Sequence, residues 1–260
     1  MAVGNPIFDL TGKVALITGS SRGIGRAIAE QMAVAGARVV ISSRKKEACD
    51  SVVDALVRKG YEAIAVSCNV ANLDDLQNLV TQTKQSFGQI DILVANAATN
   101  PTYGPSLDMT DEVWDKIMST NVKSVFRLCN MVLPDMAARK DGVIIVISSV
   151  AATMGSETLG AYAVSKAAEA QLTRNLAVEW GKHNVRVNAI APGLIKTDFA
   201  KALWENPQLV KRVEAMTALK RTGETDDIAG LAVALATPAC KFITGQFIVA
   251  DGGMTISGSF

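Results

Sequence analysis

Tyr162 and Lys166 stand four residues apart, and Ser149 lies thirteen residues before the tyrosine. Four residues is about one helical turn, so a tyrosine and a lysine at that spacing share a face. A phenol ordinarily titrates near pH ~10, too high for ready proton exchange at neutrality. A fixed cation beside it favours the phenolate and draws that value down. Bringing it to roughly 7 takes on the order of 4 kcal/mol of extra phenolate stabilisation. A lysine ammonium in a dry cleft would supply part of this. Taken alone, the pair also fits a half-buried tyrosine beside a solvated lysine.

A glycine-rich opening gives the pair a direction. The apolar run Val14–Thr18 passes straight into Gly19, Ser20, Ser21, Arg22, Gly23, Ile24 and Gly25, and an amphipathic segment comes next. Glycines let a backbone turn tightly and approach a pyrophosphate, while a helix start offers free N–H groups and the positive end of its dipole. A strand before the glycines and a helix after them is the context that a dinucleotide site requires. The second apolar run ends in Ser43, Arg44, Lys45 and Lys46. Sheets that bind NAD usually carry an acid at this tip for the ribose 2′-hydroxyl. A carboxylate would repel a 2′-phosphate, whereas Ser43 and Arg44 suit one, with Arg22 as a second cation. The expected cofactor is therefore NADP(H) in preference to NAD(H).

These residues must be held by a regular frame. Short apolar runs at Val14–Thr18, Arg38–Ser42, Ala63–Ser67, Ile92–Ala95, Val143–Ser148, Arg186–Ile190 and Phe247–Ala250 predict seven strands. Their Val, Ile and Leu content without polar alternation fits a parallel sheet covered on both faces. Amphipathic segments separate them, with stripes at Ile24, Ala27, Ile28, Met32 and Ala35, and at Leu73, Leu76, Leu79, Val80 and Phe87. Asn72, Thr110 and Thr225 precede acidic residues and are the expected helix caps. Strand–helix alternation implies right-handed crossovers and an α/β, doubly wound sheet. One domain over residues 1–260 is expected, with a substrate lid of short amphipathic helices around 197–222.

Composition excludes several other classes. The 260 residues carry 26 Lys and Arg against 25 Asp and Glu, which leaves no basic footprint for nucleic acid. No apolar run approaches the roughly 20 residues of a membrane span. The first ten residues lack the charged start and apolar stretch of a signal peptide. Cys49, Cys68, Cys129 and Cys240 form no Cys-x-x-Cys pair and read as reduced packing thiols of a cytoplasmic protein. A single histidine, His183, rules out multi-histidine metal sites and is read as a cation near a helix end. No metal is expected.

Jointly, Thr18-Gly19-x-x-x-Gly23-x-Gly25, Asn96-Ala97-Ala98, Asn121, Ser149, Tyr162-x-x-x-Lys166, Pro192-Gly193 and Thr197 resemble the single-domain short-chain dehydrogenase/reductase family over nearly the whole chain. The resemblance implies a Rossmann-type sheet, NAD(P)-dependent interconversion of alcohols and carbonyls, and usually a homotetramer. It implies that Tyr162 is the general acid in reduction and that Ser149 donates a second hydrogen bond to the substrate oxygen. Lys166 would hold the nicotinamide ribose and make Tyr162 more acidic, and Asn121 would fix a water that relays protons. Asn96, Ala97 and Ala98 would lie beneath the cofactor, Asn69 and Val70 beside the adenine, and Pro192, Gly193, Ile195 and Thr197 along the carboxamide. Two departures stand out: Ala95-Asn96-Ala97-Ala98 replaces the usual Asn-Asn-Ala-Gly, and Asn69-Val70 replaces Asp-Val. Asn69 still offers an acceptor, without a carboxylate's charge.

The segment Asn96-Ala-Ala-Thr-Asn-Pro101 is most similar to a branch of NADPH-dependent reductases of retinal, dicarbonyls and aryl ketones. Animal members often end in a peroxisomal signal resembling Ser-Lys-Leu, whereas this chain ends Ser-Gly-Ser-Phe. Val150, Met154, Tyr103, Leu203 and Trp204 suggest an apolar pocket for a small carbonyl or alcohol substrate. One alternative is a 3-oxoacyl-acyl-carrier-protein reductase, with Lys196, Lys201, Lys211 and Arg212 meeting an acidic carrier. Another is a non-catalytic NADP(H) sensor.

Overall fold

The computed structural model describes residues 6–257. The readings of the chain's two ends rest partly on residues 1–5 and 258–260, which lie outside the described residues. Seven strands form: β1 (Val14–Thr18), β2 (Arg38–Ser43), β3 (Ala63–Ser67), β4 (Ile92–Ala95), β5 (Gly142–Ile147), β6 (Val185–Pro192) and β7 (Phe247–Ala250). They make one sheet in the order β3-β2-β1-β4-β5-β6-β7, and every neighbouring pair is parallel. The predicted strands therefore stand, with β5 ending one residue early and β6 running two residues longer into Pro192.

The helices are α1 (Gly23–Val34), α2 (Lys46–Val57), α3 (Leu73–Phe87), α4 (Asp111–Ile117), α5 (Ser124–Arg139), α6 (Gly160–Trp180), α7 (Lys201–Trp204), α8 (Pro207–Met216) and α9 (Thr225–Ala236). Strand side chains alternate between two cores. Ala15 and Ile17 of β1 pack with α1, α2 and α9, whereas Leu16 packs with α3, α5 and α6. Covered on both faces, the central strands β1 and β5 are buried at every position. The predicted stripe of α1 is buried at Ala27, Ile28 and Met32, while Leu73 at the start of α3 is exposed.

Caps obey local chemistry. The Asn72 side chain accepts from the N–H groups of Asp74 and Asp75, and Thr110 accepts from Val113. Thr225 is not a cap. Glu224 takes that position in a reciprocal box, with Asp227 accepting from the Glu224 N–H at 2.8 Å.

The chain leaves β3 and restarts at β4 on the other side of β1, so the strand order reverses between β1 and β4. In open α/β sheets, ligands bind outside the carboxyl ends of the strands at such a point. The opposite, amino-terminal edge is tied by Asp91. This residue is 3% exposed, and its carboxylate accepts from the Val14 N–H at 2.9 Å and from Gln89 at 2.8 Å. Asp91→Ala leaves a strand N–H without its charged partner. It should lower unfolding free energy by about 2–3 kcal/mol in urea titration.

Candidate active site

The turn after β1 is fastened from three sides. The Ser20 hydroxyl donates to the Ile17 carbonyl and accepts from the Ser42 N–H, which fixes the turn against β2. The Thr18 hydroxyl accepts from the N–H groups of Asn96 and Ala97. The Asn96 amide donates to the carbonyls of Thr18 at 2.9 Å and Gly19 at 3.2 Å. Gly19 has φ +65°, a left-handed conformation that favours glycine. A Cβ on Gly25 would meet Asn96 Nδ2 at 2.4 Å and the Gly19 carbonyl oxygen at 2.6 Å. Asn96 and Gly25 thus shape the turn from behind. Among the described residues, Arg22 at the N-cap position of α1 makes no side-chain cap, which leaves the first N–H groups open toward the cleft.

Across the sheet, β5 ends beneath α6. Tyr162 and Lys166 lie together as their spacing predicts, with the ammonium 5.6 Å from the centre of the phenol ring. Lys166 is only 1% exposed. Its Nζ donates to the Ile147 carbonyl at 3.0 Å and to the two carboxylate oxygens of Glu169 at 2.9 and 3.1 Å. Burial works against the ammonium, but Glu169 and Tyr162 more than offset it and hold Lys166 above the ordinary lysine value. Burial likewise pushes the Glu169 carboxyl up, and the opposing pull of Lys166 does not restore it.

Tyr162 departs from expectation. Its phenol is raised above the ordinary value, chiefly by burial, with Glu169 and Tyr103 adding to the rise. Lys166 does favour the phenolate, and so does the Ser149 hydroxyl, but they do not prevail. The expected net acidification is absent because loss of solvation outweighs the pull of Lys166, and Glu169 adds to the rise. The two neighbouring serines divide their roles. Ser148 is buried and donates to the Lys166 carbonyl, whereas half-buried Ser149 faces the phenol and accepts from the Ala151 N–H.

Between α4 and α5 the helix widens into a π-helical segment, Met118–Lys123, which contains Asn121. The Asn121 amide is fully buried; it accepts from the Thr99 N–H at 2.8 Å and donates to the Thr99 carbonyl and the Ser165 hydroxyl. It joins the loop after β4 to the helix that carries Tyr162 and Lys166.

A cleft of about 1290 Å³ runs along the carboxyl edge. It gathers Gly19, Ser21, Arg22, Gly23, Ile24, Ser43, Arg44, Asn69, Val70, Asn96, Ala97, Ala98, Ser149, Tyr162, Lys166, Pro192, Gly193, Ile195 and Thr197. Of the residues selected from sequence, Gly25 and Asn121 do not line it and act from behind its wall. Arg44 is exposed at the β2 tip, while Arg22 reaches across the opening to Asp198 at 3.3 Å. The segment after β6 closes the other end, with Phe199, Leu203, Leu209 and Val213 on the cleft and the Phe199 ring 6.2 Å from that of Tyr162. Tyr103, Val150 and Met154 line it as expected. Trp204 does not; its indole N–H donates to the Thr197 carbonyl at 2.7 Å. Glu169 went unremarked in the sequence, although its position three residues after Lys166 places it on the same helical face.

A family profile described as enoyl-(acyl carrier protein) reductase matches residues 19–255. Dehydrogenase/reductase SDR family member 4 of Bos taurus is 43% identical over 253 residues, spanning 97% of this chain and 90% of that protein. A solved 7α-hydroxysteroid dehydrogenase, complexed with NADH and 7-oxo glycochenodeoxycholic acid, matches with a TM-score of 0.92 at 37% identity. That match covers 95% of this chain and 96% of the other. A gluconate 5-dehydrogenase from Burkholderia cenocepacia J2315, in complex with NADP and tartrate, matches with a TM-score of 0.92 at 31% identity. It covers 97% of this chain and 99% of the other.

Gly25→Ala tests the geometry of the turn directly. The added methyl group must displace both the Asn96 amide and the Gly19 carbonyl. The variant should lose about 1–3 kcal/mol of stability, read by thermal or urea denaturation.

Proposed function

The chain belongs to the short-chain dehydrogenase/reductase family, and from that premise we propose that it reduces small, fairly apolar carbonyl compounds with NADPH and oxidises the matching secondary alcohols. The family makes it an oxidoreductase acting on alcohols and carbonyls. The finer reading is carried by one observation: Tyr162, Ser149 and Lys166 share a cleft with an uncapped helix start and a glycine turn shaped from behind.

The residues present fit a nicotinamide dinucleotide. The turn and the start of α1 would hold its pyrophosphate, Ser43 and Arg44 a 2′-phosphate, and Asn69 and Val70 the adenine. Lys166 would hold the nicotinamide ribose by exchanging one of its present bonds to Ile147 or Glu169, with Pro192, Gly193, Ile195 and Thr197 along the carboxamide. When bound, the dinucleotide supplies or accepts the hydride. Tyr162 gives its phenolic proton to the carbonyl oxygen as negative charge develops there. Ser149 donates a second hydrogen bond to the same oxygen, a contact that strengthens in the transition state. The raised phenol value keeps Tyr162 protonated at neutral pH, which suits the reducing direction. Asn121 braces the loop after β4 against α6, and Phe199 and Leu203 form part of a lid within 197–222.

An acyl-carrier substrate receives less support. Two members of the basic group expected to meet a carrier are already paired, Lys196 with Glu224 and Lys201 with Glu205. The apolar lining supports a free small molecule instead. Exposed Phe126 on α5 and Val164 and Val178 on α6 support assembly into the homotetramer usual in the family. All four cysteines are free thiols, and burial pushes Cys68 and Cys129 up to about 12, which supports inert packing residues in a reducing, cytoplasmic setting. Among the described residues, no helix is long and apolar enough to cross a membrane.

Tyr162→Phe should lower turnover by at least about two orders of magnitude while cofactor binding persists, in steady-state assays with a panel of ketones. Near-normal turnover would sink the reading. Alcohol oxidation needs the phenolate and reduction needs the phenol. The oxidation rate should therefore climb as pH rises while the reduction rate stays level through neutrality. An oxidation rate indifferent to pH counts against Tyr162. Arg44→Ala should weaken NADPH binding by about 10-fold or more while sparing NADH, in fluorescence titrations of both cofactors. Equal losses for the two would defeat the assignment of a 2′-phosphate site.

A further inference from the structure

Among the described residues, Glu169 is the one acidic side chain joined to Lys166, and proton transfer by Tyr162 gives it no direct part. Both groups are 1% exposed, so neither is an incidental surface partner. An ammonium has three hydrogens, and here three acceptors surround it within 3.1 Å, two of them on Glu169. Burial pushes the Glu169 carboxyl up to about 7 against the pull of Lys166 and Ser148, so Glu169 is an anion throughout the alkaline range in which a phenol titrates. Beyond α6, β5 brings the Ile147 carbonyl and the hydroxyls of Ser148 and Ser149 to this centre. The loop after β4 brings Tyr103, a titratable group from another element that acts on Tyr162. Lys116 of α4 and the exposed Arg22–Asp198 pair share the wider cleft.

We propose that Glu169 is a positioning residue, whose buried carboxylate fixes the Lys166 ammonium under Tyr162 and tempers the positive charge that the phenol feels. The consequence is electrostatic. An anion close to a phenol opposes the phenolate, so Glu169 adds to the burial that keeps Tyr162 in its proton-bearing form against the pull of Lys166. Without that anion, the lysine's charge acts on Tyr162 unopposed for as long as the ammonium keeps its proton, which burial then works against. The inference rests on the reading of Tyr162 as the proton donor, yet its test does not depend on turnover.

The chain has three tyrosines, so the ultraviolet titration of Tyr162 in cofactor-free protein is isolated by subtracting the curve of Tyr162→Phe. Glu169→Gln keeps the shape and an acceptor for Lys166 but removes the charge. It should lower the Tyr162 midpoint by about one pH unit or more and move the alkaline limb of the reduction rate the same way. Glu169→Asp, which retains the charge, should titrate closer to the original protein than Glu169→Gln does. Should the Gln variant not fold, Glu169→Ser, which admits water to the ammonium, must show the same downward move. An unmoved Tyr162 midpoint in a folded neutral variant overturns the proposal, even if thermal stability falls, because a purely structural partner would do only that. A shifted midpoint together with a fully active Tyr162→Phe would instead uphold the electrostatic link and remove the catalytic reading.

Discussion

The Lys166 ammonium is almost fully buried at the floor of the cleft, and the architecture of the carboxyl edge is organised around satisfying it. A buried charge is tolerated only when paired and hydrogen-bonded, and removing one partner of such a pair costs about 3–5 kcal/mol. Here the partners come from different parts of the fold: the last carbonyl of β5 and a carboxylate one turn along α6. Helix and strand are further sewn together by the Ser148 hydroxyl on the Lys166 carbonyl. The position of Tyr162 is thereby set by a charge-satisfaction requirement as well as by apolar packing. That requirement also places an anion where the sequence suggested only a cation.

The second organising feature is the reversal of strand order between β1 and β4. It leaves a gap above the sheet into which the glycine turn opens, and the Asn96 amide closes the floor of that gap by gripping two carbonyls of the turn. The glycine end and the tyrosine end are thus neighbours across a few parallel strands. Its structural relatives include one solved with NADH and a bile-acid ketone and another with NADP and tartrate. One frame can hold such different occupants when the edge of the sheet carries the reaction and the segments above it choose the substrate.

The frame was legible in the sequence because parallel strands covered on both faces leave an apolar signature, nearly unbroken in the central strands and still present in half-buried β3 and β7, and all seven runs became strands. The residues touching the cleft were legible through motif spacing. What escaped was anything set by pairing across the fold. Thr225 looked like a cap, but the Glu224–Asp227 box outcompetes a hydroxyl through two reciprocal bonds. Trp204 looked like a pocket wall, yet its indole N–H requires a partner and finds the Thr197 carbonyl. Glu169 was invisible in function because a glutamate in a helix is ordinarily solvated; only its burial beside Lys166 shows otherwise.

The π-helical stretch at Met118–Lys123 also sets the rotation of everything beyond it. It lies inside a continuous run of helix from Asp111 to Arg139 and accommodates more residues per turn than the segments on either side. One residue is worth about 100° of rotation in an ordinary helix. Shortening this stretch by a single residue would leave α5 free to continue undisturbed but swing Asn121 away from Ser165 and Thr99. The irregularity is therefore a phase correction, letting one long rod serve two masters: an apolar seam along the sheet and a polar anchor at its mouth.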